Sequence, residues 1–250
     1  MSMPEHPPRL ILLPGLGADF HLFLPQLKAF EHSIVPAWIA PTGPREPLRL
    51  YAARFTEHLR REGLLDKPFA LVGFSFGGEM AMEIARYLLM RRSSEGQEIT
   101  IPSGIVLISA CRSRDAVTKK FVRQVKLGNL VPKPFVRPIA KLITPRFARA
   151  NRLDQQQTRW LREMSHTLDP AMLQWGGRAT VDWNLTADDA RAIEREIPIL
   201  QIHGENDTII PDTLREADVT IAGGRHLIQW TNAEHVNERI ADFLGAPLQQ

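Results

Sequence analysis

The sequence predicts an α/β fold: a doubly wound, mostly parallel sheet with a helical lid insertion. Three observations lead there. Short apolar runs without polar alternation, such as Arg9 to Leu13 (RLILL), Phe69 to Val72 (FALV) and Ser103 to Ser109 (SGIVLIS), read as strands covered on both faces. Segments of helical spacing separate these runs, and such alternation implies parallel strands joined by right-handed crossovers. Between Cys111 and about Thr186 the alternation lapses, so the core divides into 1-111 and 186-250 around an insertion at 112-185.

In order, the strand Arg9 to Leu13 ends in Pro14-Gly15-Leu16-Gly17, and a helix begins at Asp19. Ser33 to Trp38 reads as the second strand, closed by a proline- and glycine-containing loop. Leu48, Tyr51, Ala52, Phe55 and Leu59 lie at helical spacing in a helix that stops before Gly63. The strand Phe69 to Val72 turns into a helix starting near Gly77, and Ser93 to Gln97 is a polar loop. The insertion holds short helical patterns broken by Pro132, Pro134, Pro138, Pro145 and Pro170. Ile197 to His203 is again a strand, Gly204 to Asp207 its exit loop, Pro211 to Ala217 a short helix and Asp218 to Ile221 a strand. Asn232 to Leu244 forms the last, amphipathic helix.

Composition bounds the function. Hydrophobic residues make up 44% and charged residues 24% of 250, enough for a sizeable core and against disorder. No apolar run is long enough to span a bilayer, and Met1 to Pro8 lacks the cationic start and apolar stretch of a signal peptide. The single cysteine, Cys111, excludes an internal disulfide and a cysteine-based zinc site; a cytoplasmic location fits best.

Chemistry concentrates at Gly73-Phe74-Ser75-Phe76-Gly77, a G-x-S-x-G between a buried strand and a helix. In that arrangement a serine sits on a strained turn with its hydroxyl exposed, and glycines two before and two after remove the Cβ atoms that would collide. A serine hydroxyl needs a base, and the base needs an acid to hold its tautomer. Asp207, just beyond a strand end, is the candidate acid; Glu205 lies too close to the strand, Asp212 reads as helical, and Asp182, Asp188 and Asp189 precede the strand. His226, after Gly223-Gly224-Arg225, is the candidate base; His235 falls inside the last helix, and His203 reads as a packing and hydrogen-bonding residue. An oxyanion needs two N–H donors: Phe76 follows the nucleophile, and Leu16, with Gly17 as alternative, comes from the loop after the first strand. The G-x-G of that loop lacks the third glycine of a dinucleotide site.

With LLPGLG, GFSFGG, IHGENDTIIP and GGRHL in place, the chain resembles the α/β-hydrolase superfamily across nearly its whole length. The resemblance implies an eight-stranded sheet, here lacking the first two strands, with a lid after the sixth. Leu13-Pro14-Gly15 stands where many relatives carry His-Gly. Expected is a serine hydrolase of a carboxylic ester or thioester, needing no cofactor or metal. Acyltransferases, carbon–carbon hydrolases and perhydrolases share the triad, and a non-catalytic scaffold binding an acyl or apolar ligand is the alternative class.

The insertion carries ten Lys or Arg between Ala116 and Leu153 and no acid. Such a field suits an anionic partner: an acyl carrier protein, a coenzyme A ester or an anionic membrane. In outline this is similar to the pimeloyl-carrier-protein methyl esterases, which read a carrier-bound ester partly through basic lid residues. No nucleic-acid recognition motif accompanies the charge, so no nucleic acid is expected. The substrate is expected to be a small-molecule or acyl-chain ester.

Overall fold

A computed structural model describes residues 7–95 and 99–249. Most of Met1 to Pro8, expected to be no signal peptide, lies outside the described residues; of the expected loop Ser93 to Gln97, Ser93 to Glu95 instead continue a helix and the rest is outside the described residues.

Six strands, β1 (Arg9–Leu13), β2 (Ser33–Ile34), β3 (Phe69–Phe74), β4 (Ile105–Ile108), β5 (Ile199–Gly204) and β6 (Val219–Ile221), form one sheet. Their order is β2-β1-β3-β4-β5-β6, and every pair is parallel. The helices are α1 (Leu24–Ala29), α2 (Leu48–Arg61), α3 (Phe76–Glu95), α4 (Lys119–Gly128), α5 (Lys133–Ala150), α6 (Gln155–Thr167), α7 (Pro170–Val181), α8 (Ala187–Glu196), α9 (Ile228–Thr231) and α10 (Ala233–Leu244).

The unalternating strands are apolar on both faces because each face has its own core. Ile11, Leu13, Leu71, Ile105 and Leu107 pack with Tyr51 and Phe55 of α2, Met80 and Ile84 of α3, and Ile193 of α8. Their sequence neighbours Leu10, Leu12, Val72, Val106 and Ile108 point the other way, against Phe23, Trp230 and, from α10, Val236 and Ile240. Burying a Leu or Ile contributes roughly 1.5–3 kcal/mol, so this two-sided burial sets the register of the central strands.

Several elements differ from expectation. β2 stops at Ile34: Pro36 has no N–H for the ladder, and Trp38 instead packs against Phe55, ring centroids 4.9 Å apart. The segment Pro211 to Ala217 is not helical, because the Asp212 carboxylate accepts the Glu216 and Ala217 N–H groups in a loop instead. α8 was not predicted; Thr186 and Asp189 form a reciprocal capping box at its start. α5 runs unbroken through Pro138 and Pro145, both exposed, where the freed carbonyls can meet water.

Candidate active site

β2 lies on one side of β1 and β3 on the other, with Leu13 opposite Gly73. The chain therefore leaves the carboxyl ends of β1 and β3 in opposite directions and opens a crevice between them, where α/β sheets place ligands. The loop Pro14 to Gly17 and Ser75 both emerge there.

β3 extends two residues further than predicted, to Phe74, and α3 begins at Phe76, so Ser75 alone makes the turn. Its φ is +53°, a left-handed conformation that costs an L-residue roughly 1–2 kcal/mol. The Ser75 N–H donates to the Ile108 carbonyl at 3.0 Å, and the Ser75 carbonyl accepts from Gly78 N–H at 2.8 Å. The flanking glycines are required by close approach. A Cβ on Gly77 would collide with the Leu13 carbonyl, and one on Gly73 with the carbonyl of Gly77. Phe76, first in α3, has an N–H without an intrahelical acceptor.

Asp207 follows β5 and is buried. Its Oδ1 accepts from the N–H groups of Ile209 (2.8 Å) and Ile210 (3.0 Å), and its Oδ2 lies 2.7 Å from His226 Nδ1. The two loops are tied by Asn206 N–H donating to the Gly224 carbonyl at 2.7 Å. Burial pushes the Asp207 carboxyl up, but bonds from His203 and His226, the pull of the His226 imidazole and the Ile209 N–H prevail. They hold it well below the usual carboxylate range. A carboxylate so held keeps the Nδ1–H tautomer of His226 and leaves Nε2 as the basic nitrogen.

Ser75 and His226 line one cavity of about 380 Å³, roofed by residues of α5, α6 and α7. His226 rests against the Phe74 ring at a centroid distance of 4.9 Å. Among the described hydrogen bonds none joins Ser75 to His226. Gly15, Leu16 and Gly17 form part of the same wall. A Cβ on Gly15 would come within 3.5 Å of Ser75 Cβ, so this loop passes directly beside Ser75. The Leu16 side chain is wedged against α7 at Gly176, while Gly17 has a φ of +72°. The N–H groups of Leu16 and Gly17 donate to no other main-chain group among the described residues.

The rival acids and bases lie elsewhere. Glu205 accepts from Gly223 N–H, Asp212 serves its own loop, Asp182 ends α7, and Asp188 and Asp189 stand in the first turn of α8. His235 is on α10, bonded to Arg239. His203 is the exception: its buried Nε2 lies 2.5 Å from the Ile210 carbonyl and 3.4 Å from Asp207 Oδ2, beneath the acid.

One polar pair in the cavity was not anticipated. Glu79, one turn after Ser75 on α3, is buried and accepts a 2.7 Å hydrogen bond from Thr180 Oγ of α7. Burial, with the nearby Glu83 carboxyl, pushes the Glu79 carboxyl up to about 8, against the opposing Thr180 bond. At neutral pH it is therefore largely a neutral acid inside a mostly apolar cavity. Its i+4 spacing from Ser75 was visible in sequence, but its partner stands 101 residues away. Among the described residues, no cluster of three or more His, Cys, Asp or Glu could hold a metal ion.

The profile of the Alpha/beta hydrolase family matches residues 10–243. Solved structures with the same fold include a thermophilic esterase from Thermogutta terrifontis, 18% identical over 94% of this chain and 88% of that one, with a TM-score of 0.65. A carboxylesterase structure from Nitrososphaera gargenis is 10% identical over 98% and 92%, with a TM-score of 0.71. The meta-cleavage product hydrolase of Pseudomonas fluorescens is 18% identical over 97% and 92%, with a TM-score of 0.67.

Proposed function

The chain belongs to the alpha/beta hydrolase family, and from that premise we propose that it is a serine hydrolase cleaving a carboxylic ester or thioester through an acyl-enzyme. The observation that carries this reading is the 2.7 Å contact from buried Asp207 to His226, whose ring lines the same cavity as Ser75 on its strained turn. Esterase and carboxylesterase neighbours of the same fold support it.

In the proposed mechanism Ser75 Oγ attacks the carbonyl carbon while His226 Nε2 takes its proton. Asp207 accepts the Nδ1–H bond throughout and stabilises the imidazolium without taking the proton. The oxyanion forms beside the N–H groups of Phe76 and Leu16, where the α3 N-terminus adds partial positive charge. The tetrahedral intermediate collapses as His226 returns the proton to the leaving alcohol or thiol. Water, deprotonated by the same Nε2, then attacks the acyl-enzyme, and collapse of the second intermediate returns the proton to Ser75.

The test is hydrolysis of p-nitrophenyl esters from acetate to palmitate by the wild type and Ser75→Ala. Turnover that Ser75→Ala reduces by at least about a thousandfold is expected, as is typical when a triad member is lost. Turnover surviving the substitution would overturn the assignment. Tight acyl-ligand binding with no turnover and no labelling by a serine-directed phosphonate would favour the non-catalytic scaffold.

A further inference from the structure

The cations between Ala116 and Leu153 have no ion-pair partner among the described residues, unlike Arg112 at the start of the insertion, which pairs with Glu194 and Asp218. All ten, from Lys119 to Arg152, are exposed. Lys120 and Arg137 reach only main-chain carbonyls, of Thr208 and Leu168. On the core, by contrast, Arg54 pairs with Glu46, Arg86 with Glu83 and Arg92 with Glu196.

The same surface exposes large apolar side chains. Leu130 and Leu142 are each 77% exposed, and Leu127, Phe135, Ile139 and Ile143 also face solvent. Phe135, Ile139 and Leu142 follow i, i+4, i+7 spacing, so they form one stripe along α5; Leu127 lies in the last turn of α4 and Leu130 stands in the short turn that leads into α5. The opposite side of α5 is occupied: Val136 is buried, and Ala140, Thr144 and Phe147 form part of the cavity wall. The outward stripe is therefore left largely uncovered by the described residues.

We propose that the α4–α5 edge docks on an anionic lipid surface. Leu130, Phe135, Ile139 and Leu142 enter the headgroup–acyl boundary, while Lys126, Lys133, Lys141 and Arg146 meet the headgroups. Interfacial helices combine these two features, an apolar stripe and a cationic flank. An acidic protein would answer the cations but would need a matching groove for the leucines, whereas a lipid surface accommodates both without a fixed shape. No helix among the described residues is long and apolar enough to cross a membrane, so the helix lies on the surface. The docked face is the outer side of the cavity roof, and the proposal holds whatever chemistry Ser75 performs.

The test is co-sedimentation of the full chain with vesicles of phosphatidylcholine alone or with a third phosphatidylglycerol. Retention on the anionic vesicles, weakening as salt rises, is expected, with little on the neutral ones. Lys133→Ala with Lys141→Ala should lower partitioning about fivefold per cation. Leu130→Ser with Leu142→Ser, cations intact, should lower it about tenfold or more. Both double variants should hydrolyse any soluble ester the wild type turns over at the wild-type rate, because none of these side chains lines the cavity. No retention of the wild type, equal retention on neutral vesicles, or an unchanged leucine double variant would each overturn the proposal. So would binding to an acidic carrier protein without binding to vesicles.

Discussion

Asp207→Asn probes the proposed site at one atom. In the wild type Oδ1 accepts two main-chain N–H groups, Ile209 at 2.8 Å and Ile210 at 3.0 Å, and Oδ2 faces His226 Nδ1 at 2.7 Å. An asparagine can keep the first pair only by pointing its amide oxygen at them. Its NH2 then occupies the Oδ2 position and donates to His226 Nδ1. Flipping the amide would set the NH2 against both N–H groups, and each buried donor left without an acceptor costs roughly 1–3 kcal/mol. The main chain therefore selects the orientation that forces the proton onto Nε2, the tautomer unable to accept from Ser75. A loss of about 10⁴ in kcat is expected, close to 5.5 kcal/mol of transition-state stabilisation at 1.36 kcal/mol per decade. The assay is p-nitrophenyl ester turnover across pH, with a melting curve to show that the variant folds. An Asn variant within tenfold of wild type would refute the reasoning, since it would mean that Asp207 does not set the tautomer.

Ser75→Gly should melt higher than Ser75→Ala while being equally inactive. Both lack the hydroxyl, and only alanine keeps a Cβ at a φ of +53°; the gap should be about 1 kcal/mol, or roughly 2–4 °C for a domain of this size. An alanine variant as stable as the glycine variant would deny the strain. Glu79→Gln should make stability less sensitive to pH. The wild-type carboxyl, raised from 4.5 to about 8, holds its proton in the folded protein where the unfolded chain releases it. Its contribution is thus fully present below 4.5 and is lost as pH rises through about 8. Glutamine keeps the acceptor for Thr180 and does not titrate in this range. The melting temperature of the variant relative to wild type should therefore climb steadily between about pH 5 and pH 8, and a constant difference would contradict the buried neutral acid.

Much of the fold and the candidate site was legible because it is written locally. Apolar runs mark doubly covered strands, since a strand with helices on both faces has no polar side. The spacing Gly73, Ser75, Gly77 marks the elbow because the collisions those glycines avoid involve main-chain atoms, whatever packs around them. Asp207 and His226 were legible because each sits on a loop just beyond a strand end, and in a parallel sheet those ends share one edge. The failures have physical reasons too. Pro211 to Ala217 has helical composition, but the Asp212 side chain captures the N–H groups a helix would have used. The prolines of α5 mark breaks only if the carbonyls they free are buried, and exposure is not written in the sequence.

The sequence by itself determined the parallel sheet and the G-x-S-x-G turn, pointed to Ser75, Asp207 and His226 as candidates, and set ten cations without an acid between Ala116 and Leu153. The tertiary structure alone decided which oxygen of Asp207 faces His226, that His203 lies beneath it, and that Glu79 meets Thr180 inside the cavity. It alone showed that the cations are unpaired and that the α5 stripe faces outward. The reason is range. Backbone sterics and strand burial act over a few residues and leave a pattern in the chain, whereas a carboxyl's partner, its desolvation and a helix's free face depend on segments a hundred residues apart meeting in space.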